Sequence, residues 1–511
     1  MRIGIDLGTT NTVASYIDEN GVWKLLEFQQ CGSTDNPCFL PSCVAVCNGM
    51  VLVGQKAKDH GLQHPDEFVC DTKYDMGRTD RKYTIGGMTF TPVQAAEYIL
   101  KEVYNELSRQ FPGESSFNAF VTVPARFRTE ARAATKEALR NSGFQTDDSC
   151  LTDEPIAAAV AYSTRLDSDK LILVVDIGGG TYDLSLLKTT IVGAANTSSR
   201  LEPVGWDGDL HLGGNDVDEL LVKRMTASFV SAGGKDLYAR QGSVFPTQEE
   251  TRAAAMIRSM TLQLKKQLYA PGSEKASVFI PSLLDGKDLD FTITRGEYET
   301  GMGETAVKMT RCLENIFVGS GYSRGAVDHV LVVGGMAHEI CLLRILEQMF
   351  GREKMIVPED SMLLVSKGAA ICNSNLRLHI ENKAYTSIGL LSRSGMDVQP
   401  IIKEGETVQS GKMEPVYISP ESADATGIEI KLVEFRGQFK PGEYTTVLSE
   451  VIQLSDSGKK SGGIIKKLLG KKQLPKLKMI TEFTEDKLLR ISVEQPDGRV
   501  TDLSLRLGGK N

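Results

Sequence analysis

The sequence predicts a mixed α/β protein built from two similar halves and followed by an antiparallel β domain. Three observations lead there. A short glycine-threonine hairpin near the N-terminus recurs 170 residues later. Buried apolar strands alternate with helical stripes after each copy, the pattern of a mixed α/β domain. Beyond about residue 380 the stripes give way to short alternating segments with turns between them, as in antiparallel sheets with one face in water.

The first hairpin reads Ile3-Gly4-Ile5-Asp6-Leu7-Gly8-Thr9-Thr10-Asn11, and the second Val174-Val175-Asp176-Ile177-Gly178-Gly179-Gly180-Thr181-Tyr182-Asp183. Each is an apolar strand ending in an aspartate, a Gly/Thr turn and a second strand. Glycine permits positive φ and close backbone approach, so successive N–H groups can converge on an anion. The hydroxyls of Thr9, Thr10 and Thr181 add donors. Asp6 and Asp176 would repel bare phosphate, so beside such turns they imply a cation, magnesium held largely through water. Either hairpin alone reads equally well as an ordinary glycine turn. The matched Asp and Thr positions predict two halves closing on one nucleoside triphosphate.

Taken in order, strands come first. Val93, Ala96, Leu100, Val103 and Leu107 then follow the spacing of a half-buried helix. Ala119–Val123 is a strand stopped by Pro124. A helix from about Thr129 to Asn141 ends before Gly143, a suitable closing glycine. Another starts at Glu154-Pro155, where proline in the first turn loses no hydrogen bond. After the hairpin at 172–188 come helices between about 215 and 270. The strand His329–Val333, Gly334-Gly335 and a further helix follow. In the β domain, Ile428–Val433 and Leu488–Val493 alternate.

At 511 residues the chain has room for about three domains. Apolar content of 41% and charge of 24% fit a soluble globular protein. A net charge of −8 gives no global attraction to nucleic acid. No stretch approaches the ~18 apolar residues of a spanning helix. The first hairpin begins at residue 3, which leaves no room for a signal peptide, so a cytoplasmic location is expected. In that compartment nine scattered cysteines predict no disulfide framework. The cluster Cys31, Cys38, Cys43 and Cys47 lacks a paired Cys-x-x-Cys knuckle, and Cys43 and Cys47 share one face of an apparent strand.

Residues 456–478 hold eight lysines against the single acid Asp456. Ile464, Ile465, Leu468 and Leu469 would share one helical face flanked by Lys466, Lys467 and Lys471. The stretch reads either as a solvated loop, being short for a helix in water, or as a basic amphipathic element that orders on an anionic membrane or partner. On the second reading, weak anionic membrane contact through 459–478 is expected.

These motifs resemble the DnaK-type heat-shock chaperones of the actin-like ATPase superfamily, clearly over residues 1 to about 375 and more faintly over 385–511. Gly4–Asn11 is similar to the family's first phosphate loop and Asp176–Asp183 to its second. Lys73, in Lys73-Tyr74-Asp75-Met76-Gly77-Arg78, stands where the family has its catalytic lysine. Val123-Pro124-Ala125-Arg126-Phe127 with Arg132 resembles the segment that relays nucleotide state through a proline and an arginine. Glu154-Pro155-Ile156-Ala157-Ala158-Ala159 resembles the one whose glutamate faces metal and water. Gly208–Asp216 also fits, although Asn215 or Asp216 reads equally as a helix N-cap.

The resemblance implies an actin-like two-lobed ATPase domain of duplicated ribonuclease-H-like halves over 1–378, a linker at 379–385, and a small antiparallel β-sandwich at 386–511 that binds substrate or partner, with no helical lid. It implies catalytic roles for Lys73, Glu154, Thr181 and Asp183, and magnesium at Asp6 and Asp176. Nucleotide contacts would come from Gly8, Thr9, Thr10, Asn11, Gly178, Gly179, Gly180, Thr181, Gly213, Gly214, Lys265, Lys266, Tyr269, Gly334, Gly335 and His338, and the relay from Pro124 and Arg132. ATP and magnesium are the implied cofactors. Unfolded or extended polypeptides are the implied partners, with a J-domain co-chaperone and a nucleotide-exchange factor.

Some positions depart from the family pattern. Aligning on Lys265-Lys266-Gln267-Leu268 puts Leu262 and Tyr269 where the family's adenosine helix carries glutamate and serine. His338 stands where the family has an arginine, and Arg393 where its first substrate loop arches a hydrophobic side chain. Weaker base recognition is therefore expected, and fast peptide exchange because no lid would close over the sandwich. The expected function is ATP hydrolysis coupled to binding of unfolded polypeptide. The alternatives are a nucleotide-gated adaptor for a dedicated partner or membrane surface, an actin-like cytoskeletal ATPase, and a sugar kinase, for which no general-base aspartate or sugar pocket is evident.

Overall fold

A computed structural model describes residues 1–163, 168–192, 198–238, 245–373, 378–408, 410–420, 422, 425–454 and 474–503. The lysine-rich stretch lies almost wholly outside the described residues. The chain divides into one compact unit of Met1–Phe127 and Ala134–Ile380 and a second of Arg128–Ala133 and Glu381–Asn511.

Two six-stranded sheets frame the first unit, and they share one plan. In the first half, Arg2–Leu7 pairs antiparallel with Asn11–Ile17 and parallel with Ala119–Val123, which pairs parallel with Leu151–Asp153. In the second half, Lys170–Ile177 pairs antiparallel with Tyr182–Val192 and parallel with His329–Val333, which pairs parallel with Met355–Ile356. Trp23–Leu25 and Ser198–Asp209 extend the hairpin sides in the same way. Asp6 and Asp176 are each the penultimate residue of the central strand, so the fold presents them at equivalent places. Leu171–Val175 is apolar throughout because it is covered on both faces. Leu378–Ile380 adds a sixth strand, parallel to Ser198–Asp209, so residues 379 and 380 of the expected linker are strand.

The helices read from sequence stand close to their predicted bounds. Pro92–Gln110 is capped by a reciprocal Thr91–Gln94 box and buries Ala96, Leu100, Val103 and Leu107. Thr129–Asn141 precedes Gly143, whose φ is 105°. Two helices then cross between the halves. Glu154–Ser163 follows the last strand of the first sheet but packs Ile156 and its alanine run against Ile172, Val174, Leu331 and Val333 of the second. Leu364–Cys372 follows the second sheet but lies on the first, where Ser15 Oγ donates to the Ser366 carbonyl at 2.9 Å and Asn373 Nδ2 to that of Ile3 at 3.0 Å. The helices meet at Gly368, where an added Cβ would lie 1.7 Å from the Ala157 carbonyl oxygen.

The second unit is a sandwich of two antiparallel sheets. One orders Val398–Ile402, Ser387–Leu391, Gly427–Phe435 and Thr445–Gln453. The other centres on Leu477–Phe483 and Leu489–Glu494, with Val500–Leu503 beyond. Ile388, Ile430 and Leu432 from one face share a core with Leu477, Met479 and Ile491 from the other. Strict alternation of burial along Leu477–Phe483 reflects that single apolar face.

Because Gly368 meets backbone that cannot swing aside, Gly368→Val should destabilise the first unit by on the order of 3 kcal/mol. Gly296→Ala, which has nothing within 4 Å, should be close to neutral. Urea unfolding of both variants makes the comparison. A neutral Gly368→Val would show that the helix crossing is not a tight contact.

Candidate functional site

Both glycine-threonine turns open into one cleft. Its lining includes Asp6, Gly8, Thr9, Thr10, Asn11, Lys73, Glu154, Asp176, Gly178, Gly179, Thr181, Gly334 and Gly335, with Val13, Phe39, Met362 and Val365 as its apolar part.

The glycines serve a different need from the one read in sequence. None of Gly8, Gly178, Gly179 and Gly180 has a left-handed φ. Crowding is what excludes a side chain. A Cβ on Gly8 would lie 2.2 Å from the Asn11 carbonyl oxygen, one on Gly179 1.9 Å from Thr10 Oγ1, and one on Gly180 1.6 Å from the Tyr74 hydroxyl. Thr10 and Tyr74 belong to the first half, so the second turn is packed between halves. From its own half, the N–H groups of Gly214 and Asn215 donate to the carbonyls of Gly178 (3.0 Å) and Gly179 (2.6 Å). Gly214 and Asn215 therefore brace the turn, Gly213 packs against Gly178, and neither Gly213 nor Gly214 lines the cleft. Gly334 alone among the lining glycines is left-handed, at φ 90°, where a Cβ would lie 2.7 Å from Asp176 Oδ1.

Charge is concentrated beside these turns. Lys73, on the short helical turn Thr72–Asp75, donates to Glu154 Oε1 at 2.5 Å, and both side chains are buried. Glu154 begins its helix, where the dipole favours a carboxylate. Burial, then the Glu154 charge, push Asp6 up to about 7, against Lys73 and a 3.2 Å hydrogen bond from Thr122. Burial and Glu154 likewise push Asp183 up to about 7. Burial, with Glu154, Asp6 and Asp183, drives Asp176 well above the carboxylate range. Burial works to lower the Lys73 ammonium, but Glu154, Asp6 and Asp183 outweigh it and hold that group above an ordinary lysine.

This donor set fits a divalent cation. Both oxygens of Asp183 are buried and accept no hydrogen bond of ordinary geometry among the described residues. Among those residues no three acidic, thiol or imidazole groups converge for direct coordination. A cation here suits shared waters and phosphate oxygens better than an all-protein cage.

Other expected residues sit elsewhere. Gly180 and Asp183 are buried outside the lining. Lys265 pairs with Asp218 at 2.8 Å, and Lys266 bridges the halves to Asp35 at 2.7 Å. The Tyr269 hydroxyl lies 3.3 Å from that of Tyr298 and 3.8 Å from Met336 Sδ. Tyr298 donates to Glu339, which caps the helix Ile340–Phe350. A half-buried phenol must find a polar partner, and this chain inside the second half supplies it. His338 is exposed, and neither it nor Tyr269 lines the cleft. Pro124 ends its strand and accepts from the Phe127 N–H, while Arg132 is buried on Thr129–Asn141. Sequence reasoning missed Phe39, Met362 and Val365, apolar residues without a motif. It also passed over Tyr74, whose signal was the glycine run at 178–180 that needed something packed against it.

The raised carboxyls carry a pH signature. Asp6 titrates near 7 when folded but near 4 when unfolded, so its burial costs nothing below about pH 4 and progressively more as pH rises through 7. Asp6→Asn removes the charge and keeps an acceptor for Thr122. It should raise the ligand-free melting temperature by a few degrees at pH 8 and leave it nearly unchanged at pH 4. Equal shifts at both pH values in calorimetric scans would contradict the charge burden assigned to Asp6.

A family profile described as "Hsp70 protein" matches residues 2–86 and 78–383. A protein of Picrophilus torridus described as "Chaperone protein DnaK" is 29% identical over 418 residues, covering 80% of this chain and 64% of that relative. Proteins of the same description from Thermotoga petrophila and Thermotoga maritima are 30% identical over 422 residues, covering 81% of this chain and 65% of each relative. The chain thus spans just under two thirds of the length of these curated relatives. The profile match runs through both halves and takes in both glycine-threonine turns, and the chain belongs to the Hsp70 family.

Proposed function

We propose that this chain is an ATP-driven molecular chaperone, whose first unit hydrolyses ATP with magnesium and whose β-sandwich binds unfolded or extended polypeptide. One observation carries the reading. Two duplicate glycine-threonine turns and the Lys73–Glu154 pair meet in a single cleft with more buried carboxylates than cations, in a chain of the Hsp70 family. That membership favours a chaperone over an adaptor or a filament-forming ATPase, and a J-domain co-chaperone and a nucleotide-exchange factor are the partners it suggests.

On this reading Gly8, Thr9, Thr10, Gly178, Gly179 and Thr181 receive the phosphates, and Asp6 and Asp176 hold magnesium through water. When bound, the metal neutralises charge on the phosphate oxygens. Lys73 donates to the γ-phosphoryl oxygens as charge develops there, and Glu154 keeps its ammonium charged and aimed. Thr181, in the lining of the cleft, orients the attacking water. An Asp183 carboxyl titrating at about 7 is poised to take up a proton near neutral pH.

Lys73→Ala should lower turnover on the order of 100-fold or more while ATP affinity stays within a few-fold, because ground-state binding is spread over two turns. Wild-type turnover in that variant would overturn the role of Lys73. Turnover of the unmodified chain should rise with a panel of unfolded peptides. A flat response would remove the support for a chaperone.

A further inference from the structure

One side chain reaches from the second half to the turn that carries Lys73. Asn215 is the second residue of the helix Gly214–Ser231. Its Nδ2 donates to Asp71 Oδ2 at 3.1 Å and to the Tyr74 hydroxyl at 3.2 Å. Asp71 and Tyr74 flank Lys73. Asp71 is the residue that opens the turn, in a left-handed conformation at φ 57°, and the Tyr74 N–H donates back to its carbonyl at 3.3 Å. A non-glycine residue held there carries strain and needs its surroundings to keep it in place. On its other side, the Asn215 backbone N–H donates to the Gly179 carbonyl. The Tyr74 hydroxyl stands against Gly180, and its ring lies 5.4 Å from that of His211 in the second half. Capping does not explain Asn215, because its neighbour Asp216 already accepts from the Gly213 N–H at 2.8 Å.

We propose that Asn215 is a positioning residue for hydrolysis, setting the Lys73 turn against the second phosphate turn when the halves are closed. The proposal rests on the ATPase reading above. A primary amide suits the task because its two N–H groups serve a carboxylate and a phenol oxygen at once. It also brings no charge beside Asp71, whereas an aspartate at 215 would set carboxylate against carboxylate.

The test uses the full chain, with single-turnover hydrolysis and calorimetric ADP binding for wild type, Asn215→Ala, Lys73→Ala and the double variant. Asn215→Ala should slow hydrolysis about 10- to 100-fold, the scale of a small misplacement of a catalytic group, with ADP affinity within about twofold. In the Lys73→Ala background it should cause no further loss, since it acts through Lys73. Asn215→Asp, which keeps the size of the side chain, should be at least as slow. An unchanged rate, an equal loss in both backgrounds, or a loss expressed in ADP affinity would overturn the proposal. A wild type that binds ADP but never hydrolyses ATP defeats the ATPase reading and this inference with it. An active wild type with an indifferent Asn215→Ala defeats the inference alone.

Discussion

Asp6, Glu154, Asp176 and Asp183 surround a single ammonium, Lys73, where the two halves meet, and all but the half-buried Asp6 are buried. A buried ion pair roughly breaks even against its desolvation cost, whereas buried charge left over is strongly unfavourable. Protons relieve it in part, which is why two of the aspartates titrate near 7. A divalent cation with phosphate relieves it more fully, since Lys73 and the turns then meet negative charge brought by a ligand. The site stores free energy that binding can release, at the expense of the stability of the ligand-free chain.

Duplication explains how one cleft comes to hold so much charge. The two sheets share a strand plan, and each presents an aspartate at the penultimate residue of its central strand. Facing the halves toward each other doubles the carboxylates and the turns together. The crossed helices hold that arrangement. Glu154 starts one of them, so the residue that pairs with Lys73 begins the segment packed on the opposite sheet. At Gly368 the backbones approach too closely for any side chain. The partner of Lys73 and the tight contact with Gly368 thus share the same short helix.

Much of this was legible in the sequence because its signals are local. Strand hairpins ending in Asp-Leu-Gly-Thr and Asp-Ile-Gly-Gly-Gly-Thr announce themselves within ten residues. Helices such as Thr129–Asn141 follow from periodicity and a closing glycine. The illegible parts depend on packing between residues far apart in the chain. Nothing in Leu364–Cys372 says that it will lie on the first sheet. Nothing near Tyr269 in sequence says that its hydroxyl will join a chain with Tyr298 and Glu339. Positive φ was the general expectation for glycine in a phosphate turn, but crowding by Thr10 and Tyr74 is what demands it here. Asn215 looked like a possible cap until its partners Asp71 and Tyr74 were placed beside it.

The central claim is that the surplus carboxylates are there to hold a divalent cation together with a phosphorylated nucleotide. Thermal unfolding tests it most directly, with ADP alone, magnesium alone, both together, and both followed by a chelator. The account predicts that magnesium and ADP together raise the melting temperature by several degrees more than their separate effects combined, and that the chelator reverses the gain. Stabilisation by ADP that is indifferent to magnesium and chelator would contradict it.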